Sequence, residues 1–294
     1  MAFKTKTGGF PIGFRRGWSD WQKKSTNDLA RWANENGFGV LDLGGTSNED
    51  LAALKANNIQ IGTADVPSFG ALMSKDASER ATKQHEAIEG IKRMCDAGVK
   101  WFFTCILPGD VSASRIDNYN LAVEVYKPIA EAAHAGGGAL AVEGYPGSEP
   151  HLPAPGCTPE TVRAFLKDIP RGFALNYDPS HLIRLGVCPI RFLQEFVSHV
   201  RHVHGKDTMI DQAALYEFGR QPATFSKPRG FGGNIWRYTL PGHGLSDWPT
   251  ILKILHENGF KGAISVELED DRFNGTEAGE KEGLIASANF LAAC

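Results

Sequence analysis

The sequence predicts an α/β chain folded as a single (β/α)8 barrel domain over residues 1–294. Eight apolar, strand-like runs alternate with helical patterns, and no shift in composition divides them. Polar residues recur at the ends of these runs along the whole chain, whereas a doubly wound open sheet would gather them at one switch point. No Gly-x-Gly-x-x-Gly follows the first run.

The elements follow in order. Phe10–Phe14 is the first apolar run; Arg15-Arg16-Gly17-Trp18 forms a loop, and a helix runs from about Ser25 to Asn36. Val40–Leu43 is the second strand, Gly44-Gly45 its turn, and Ser47-Asn48-Glu49-Asp50 opens a helix to about Asn57. Ile59–Thr63 is the third strand. An amphipathic pattern (Ala81, His85, Ile88, Ile91, Met94, Cys95) predicts a long helix from Asp76 to about Ala97, and Val99–Ile106 follows as strand four, ended by Pro108. A helix from Asp117 to about Ala135 and three glycines lead to strand five, Ala139–Glu143. Thr158-Pro159 caps a helix to about Asp168, Gly172–Asp178 is strand six, and a helix near Pro189–His199 precedes strand seven, Arg201–Lys206. At about 208–240 the alternation gives way to a long insert rich in Gly, Pro and aromatic residues, expected to form a lid or wall over a site. Asp247-Trp248-Pro249 caps a helix to about Asn258, Gly262–Glu269 is strand eight, and a final helix reaches the terminus.

A net charge of -3 and a pI near 6.3 carry no electrostatic footprint for nucleic acid. The five cysteines form an odd set without a Cys-x-x-Cys pair, which argues against a disulfide framework or thiolate zinc knot and suits a reducing cytoplasm. The opening residues lack the apolar core of a signal peptide, and no run of about 18 apolar residues suggests a membrane span.

Four residues stand near the C-terminal tips of consecutive strands five to eight: Glu143, Asp178, His204 and Glu267. In a barrel these tips form one contiguous arc at the face where sites are built. Three carboxylates and one imidazole make a hard, oxygen-rich set suited to Mn²⁺ or Mg²⁺, with Co²⁺ or Zn²⁺ as alternatives. Parity does not separate Asn176 from Asp178, His202 from His204, or Glu267 from Glu269, because each pair shares a strand face. His202 lies one pleat deeper than His204, where a supporting role is expected. His181, three residues past Asp178, reaches a substrate from the rim; Lys206, Asp207 and His243 are further polar residues of the mouth. Trp18, Phe103 and Trp236 are candidates to wall an apolar substrate face, and Arg237 to hold an anionic group.

Val142-Glu143-Gly144, Asp178-Pro179-Ser180-His181, His202-Val203-His204-Gly205-Lys206-Asp207, Pro241-Gly242-His243-Gly244 with Asp247-Trp248, and Gly262–Glu267 agree in order and spacing with one family. The chain resembles the xylose isomerase-like TIM barrels, a family that holds sugar and sugar-phosphate isomerases and epimerases together with endonuclease IV. The resemblance to its ketose 3-epimerases implies that Glu143, Asp178, His204 and Glu267 ligate one divalent metal, most readily Mn²⁺. It also implies that His181 contacts a substrate oxygen and that Glu143 and Glu267 are the acid/base pair. A nuclease would need several more His and carboxylate ligands, and in strands two to four only Asp42 offers an inward one.

The function expected is a metal-dependent isomerase or epimerase of a small ketose or sugar derivative, with proton transfer through an enediolate. The alternative is a lyase or deglycosylase acting on 3-oxo-glycosides, whose acidic proton also lies beside a carbonyl. A non-catalytic sugar-binding protein is the third reading. The partner expected is a small carbohydrate, with a second copy of the chain or a small second subunit as further partners.

Overall fold

The computed structural model describes residues 2–148 and 151–294. Eight parallel strands close a barrel: β1 (Ile12–Arg15), β2 (Val40–Leu43), β3 (Gln60–Asp65), β4 (Trp101–Cys105), β5 (Ala139–Glu143), β6 (Phe173–Tyr177), β7 (Val200–Gly205) and, last in the chain, β10 (Ile264–Val266). Two strands outside the barrel, β8 (Asp207–Ile210) and β9 (Trp236–Thr239), pair antiparallel. The seam is closed by β1 against β10, with Ile12 opposite Ile264 and Phe14 opposite Val266.

The outer layer consists of α1 (Asp20–Lys23), α2 (Thr26–Glu35), α3 (Asn48–Ala56), α4 (Ala77–Asp96), α5 (Arg115–Ala135), α6 (Pro159–Asp168), α7 (Pro179–Arg184), α8 (Pro189–Phe196), α9 (Gln212–Phe218), α10 (Trp248–Glu257) and α11 (Glu277–Ala293). Their starts obey local chemistry. Ser25 accepts from the Asp28 backbone N–H, Ser47 and Asp50 form a reciprocal capping box, and Asp76 accepts from Ser78 and Glu79. In α10, Asp247 caps Thr250, Pro249 sits in the first turn, and Trp248, Ile251, Leu252 and Leu255 are buried against the barrel. The main apolar core lies between the strands' outward side chains and these helices, while the barrel interior becomes polar toward its C-terminal mouth.

Two expectations need correction. Strand eight is shorter than residues 262–269, because the ladder stops at Val266. Beyond it, the carboxylates of Glu267 and Glu269 turn into the mouth to meet the Lys206 ammonium. The insert, expected as a lid or wall with no elements assigned, is anchored at both ends by the β8–β9 pair, and Asp211 caps α9 through the Ala214 N–H. Trp236 and Tyr238, two apart on β9, are both buried and pack with Ile235 in a small core of their own.

One glycine is required by close approach. A Cβ at Gly62 on β3 would lie 2.0 Å from Asp42 Oδ1 and 3.1 Å from the His202 ring, so only glycine leaves room for that pair inside the barrel.

Candidate active site

Polar side chains fill the C-terminal half of the barrel in two layers. In the deeper one, Asp42 Oδ1 accepts from the Thr63 N–H at 3.0 Å, and Oδ2 lies 2.8 Å from His202 Nε2. Burial pushes the Asp42 carboxyl up, but His202 and His204 outweigh it and hold it below the usual range. His204, one pleat above His202, has its Nε2 3.6 Å from Asp42 Oδ2, and Phe103 stacks on its ring at 5.3 Å.

The upper layer is assembled from strand ends. Glu143 closes β5; its Oε2 accepts from Asn176 Nδ2 of β6 at 2.7 Å, and its Oε1 is 3.1 Å from His181 Nε2. Asp178 follows β6 directly. The sequence Asp-Pro-Ser makes it the N-cap of α7: Oδ1 accepts from the Ser180 N–H at 2.8 Å, and the pre-set φ of Pro179 starts the helix that carries His181. Ligand atoms of Glu143, Asp178, His181 and Glu267 lie within 4.8 Å of one another, and all four residues are buried or nearly so. A second such group, Asp42, His202 and His204, meets it from below: His204 Nδ1 is 2.6 Å from Glu143 Oε2 and 3.4 Å from Glu267 Oε2.

Lys206, only 1% exposed, points its ammonium into the upper layer. It bonds Glu267, donates to Glu269 at 2.9 Å, and lies 3.3 Å from Asp178 Oδ2. Burial and Lys206 act in opposite directions on Glu267, and the cations win, leaving its carboxyl at about 2. Glu143 is likewise held well below the usual range, because His204 and His181 outweigh its burial. Glu269 is raised by burial.

This arrangement fits a cation. Asp178, Glu267 and Glu269 crowd the single Lys206 ammonium, while Glu143 is met by the imidazoles of His181 and His204. Asp178 Oδ2 is buried and makes no closed hydrogen bond, with Lys206 Nζ at 3.3 Å and His181 Nε2 at 3.4 Å. Buried groups are normally paired, so this open acceptor beside the other carboxylates is placed as a ligand to a metal would be. The group that lies together, Glu143, Asp178, His181 and Glu267, is oxygen-rich with one imidazole, a set that suits Mn²⁺, Mg²⁺ or Zn²⁺; the expected fourth ligand, His204, belongs to the lower group and reaches Glu143 and Glu267 from below.

A chain of contacts missed by reading the sequence fixes His181 from behind. Arg184 is 1% exposed, lies 4.1 Å from the Trp236 ring centre and donates to Tyr238 Oη at 2.8 Å. Guanidinium is only a donor, so the Tyr238 hydroxyl keeps its own hydrogen for His181 Nδ1, 2.7 Å away. Nε2–H of His181 is then directed at Glu143. Arg184 carried a signal in its spacing, three residues after His181 on one helix face; Tyr238 carried one as the partner of Trp236 on a single strand face.

The other candidates divide. Trp18 and Phe103 line, with Arg15, Tyr145, Glu143 and Glu267, a cavity of ≈ 210 Å³ above the upper layer. Trp236 is buried behind His181 as Arg184's platform. Arg237 is engaged by Asp270 at 3.4 Å and Asp271 at 3.7 Å. Asp207 accepts from the backbone of Thr208, Gly242 and Ser246, so it anchors the turn after the insert. His243 is exposed on that turn, outside the cluster. Arg15, not singled out in the sequence, forms a two-point pair with Asp65 at 2.8 and 3.0 Å, and its Nε is 3.5 Å from Glu267 Oε1.

Residues 19–294 match the family described as Xylose isomerase-like TIM barrel. The chain belongs to this family. An inosose dehydratase of Clostridium beijerinckii is 35% identical over 97 residues, which make up 33% of this chain and 30% of that protein. The family member described here therefore spans about a third of the length of that curated relative. Two solved structures share the fold. The 3-keto-D-glucoside 4-epimerase YcjR from E. coli superposes with a TM-score of 0.71 at 14% identity, over 97% of this chain and 100% of that one. The IOLI protein with a binding zinc atom superposes at 0.65 with 18% identity, over 96% of each chain. No helix among the described residues is long and apolar enough to cross a membrane.

Proposed function

We propose that the protein is a divalent-metal-dependent sugar isomerase or epimerase that moves a proton beside a carbonyl of a ketose or oxo-sugar. The observation that carries this reading is the pair Glu143 and Glu267. Both are buried at the barrel mouth on strands separated by two others, and both border the 210 Å³ cavity. The sugar epimerase and dehydratase names among its relatives give the same class of substrate.

A divalent ion held by Glu143, Asp178, His204 and Glu267 would supply Lewis-acid polarisation of the substrate's carbonyl and neighbouring hydroxyl oxygens. The chain's own groups do the rest. One of the two glutamates takes the proton α to the carbonyl, and the other, reached from the opposite wall, can return one. The His181 Nε2–H and the Lys206 ammonium are donors for the oxygens on which charge develops. Phe103 and Trp18 cover the carbon face and limit water.

The test is NMR of free ketoses and oxo-sugars incubated with Mn²⁺-supplied protein in D₂O. Deuterium is expected at the carbon beside the carbonyl with the carbon skeleton intact. Loss of a water or of a glycosidic bond in place of exchange would move the assignment to a lyase.

A further inference from the structure

A cleft of ≈ 680 Å³ opens on the same face of the barrel, between the β1–α1 loop, the segment from Asp271 to Glu277, and Gly230–Phe231 of the insert. It shares one side chain, Trp18, with the inner cavity. That indole is 60% exposed, a costly state for so large an apolar surface unless something covers it.

The platform is built and held. Glu280, 3% exposed, accepts from Ser19 Oγ at 2.6 Å, Trp21 Nε1 at 2.6 Å and Gln22 Nε2 at 3.0 Å. Gln22 Oε1 in turn accepts from the Gly17 N–H at 2.7 Å. The backbone on both sides of Trp18 is thus fastened to α11, so the ring is positioned before anything binds. The cleft is also lined by the carboxylates of Asp20, Asp271 and Glu277, and among the described residues no lysine or arginine lines it. Such a wall repels phosphate and suits a neutral polyhydroxylated ring, whose apolar face stacks on indole while its rim hydrogen-bonds. At the inner cavity, the nearby cations are already committed: Arg15 to Asp65, and Lys206 to Glu267 and Glu269. The inner cavity lies below the usual size of a complete ligand site, roughly 300–1,000 Å³, and the outer cleft lies within it.

We propose that the substrate is a neutral glycoside of two sugar rings, with the reacting ring in the inner cavity and the second ring stacked on Trp18 in the outer cleft. This rests on the reading of Glu143 and Glu267 as the proton-transferring pair, and it adds the substrate's size and charge. The test uses two probes, a 3-oxo-hexose and the disaccharide that carries this oxo ring at its non-reducing end. It uses two readouts: proton exchange in D₂O, and saturation-transfer NMR to the second ring, which needs no turnover. The disaccharide is expected to exchange with about tenfold higher kcat/KM. Trp18→Ala should shrink that ratio toward one, with Trp18→Phe restoring most of it. Saturation transfer to the second ring should be present in the wild type and lost in Trp18→Ala.

Equal kcat/KM for both probes, or an unsaturated second ring, overturns the two-ring substrate while leaving the proton-transfer reading in place. Absence of exchange in both probes, with Trp18-dependent saturation of the second ring, overturns the proton-transfer reading and supports the cleft as a saccharide site.

Discussion

The two polar layers of the barrel use the same side-chain types and differ in whether their hydrogen bonds close. Below, Asp42 is fully partnered by the Thr63 N–H and His202, in space that Gly62 leaves free. Above, Asp178 Oδ2 has no closed hydrogen bond, and three carboxylates, Asp178, Glu267 and Glu269, crowd one ammonium. A closed layer stabilises the barrel, while an open layer costs stability until a ligand supplies what is missing. Buried Asp and His residues in the same barrel are therefore told apart by satisfaction, which burial alone does not reveal.

The largest separation between the layers should appear in Glu143→Gln and Glu267→Gln. Each is expected to lower turnover about a thousandfold. Each variant should still fold, with some loss of thermal stability, since both carboxyls are held below the usual range by the imidazoles and the Lys206 ammonium. A variant that keeps its activity would remove that residue from the acid/base pair. His204→Ala should reduce bound metal per chain in elemental analysis; full occupancy would show that the ligand set lies elsewhere.

Asp42→Ala is the converse break. It strips the partners from the Thr63 N–H and from His202 inside the barrel, and should cost about 3 kcal/mol in denaturant unfolding. A destabilisation smaller than that of Glu143→Gln would erase the distinction between the layers. Tyr238→Phe tests the junction of the insert with the upper layer. Losing the hydrogen that holds His181 should lower kcat about tenfold with a smaller change in KM and no loss of bound metal. Unchanged kcat would leave Arg184 and Tyr238 as packing alone.

The smallest effect concerns Glu280, a closed carboxylate far from the chemistry. Burial raises its pKa, but bonds from Ser19, Gln22 and Trp21 outweigh this and hold it below the usual glutamate range. A depressed folded value means that its stabilisation is complete above that range and fades as pH falls through the lowered value. Glu280→Gln should therefore cost about 1–2 kcal/mol at pH 7 and close to nothing near the acid end of the native range, measured by urea unfolding at both pH values. An equal loss at both would mean that the charge plays no part.

Much of this architecture was legible in the sequence because it is written locally. The order of barrel strands, the caps at Ser25, Ser47, Asp76 and Asp247, and the placing of Glu143, Asp178, His204 and Glu267 at strand tips follow from period, capping and turn chemistry. What could not be read depends on register between distant segments. Tyr238 meets His181 across 57 positions, and His202 meets Asp42 across 160. Lys206 was expected as a polar residue of the mouth, open to a substrate, but its ammonium is enclosed, because the chain leaves β10 early and swings Glu267 and Glu269 over it. The insert's strands were obscured because its Gly- and Pro-rich middle separates two short runs, Asp207–Ile210 and Trp236–Thr239, that recognise one another only as a pair.

The seam between β1 and β10 bears on timing. Ile12, Gly13 and Phe14 pair with Ile264, Ser265 and Val266, so the barrel closes only once the last of its eight strands is in place. Glu267 is the next residue after that seam. A growing chain can already possess Glu143, Asp178 and His204 and still lack the second carboxylate of the proposed acid/base pair. On that proposal, competence arrives in one step with closure, and a seam-opened barrel would be chemically silent.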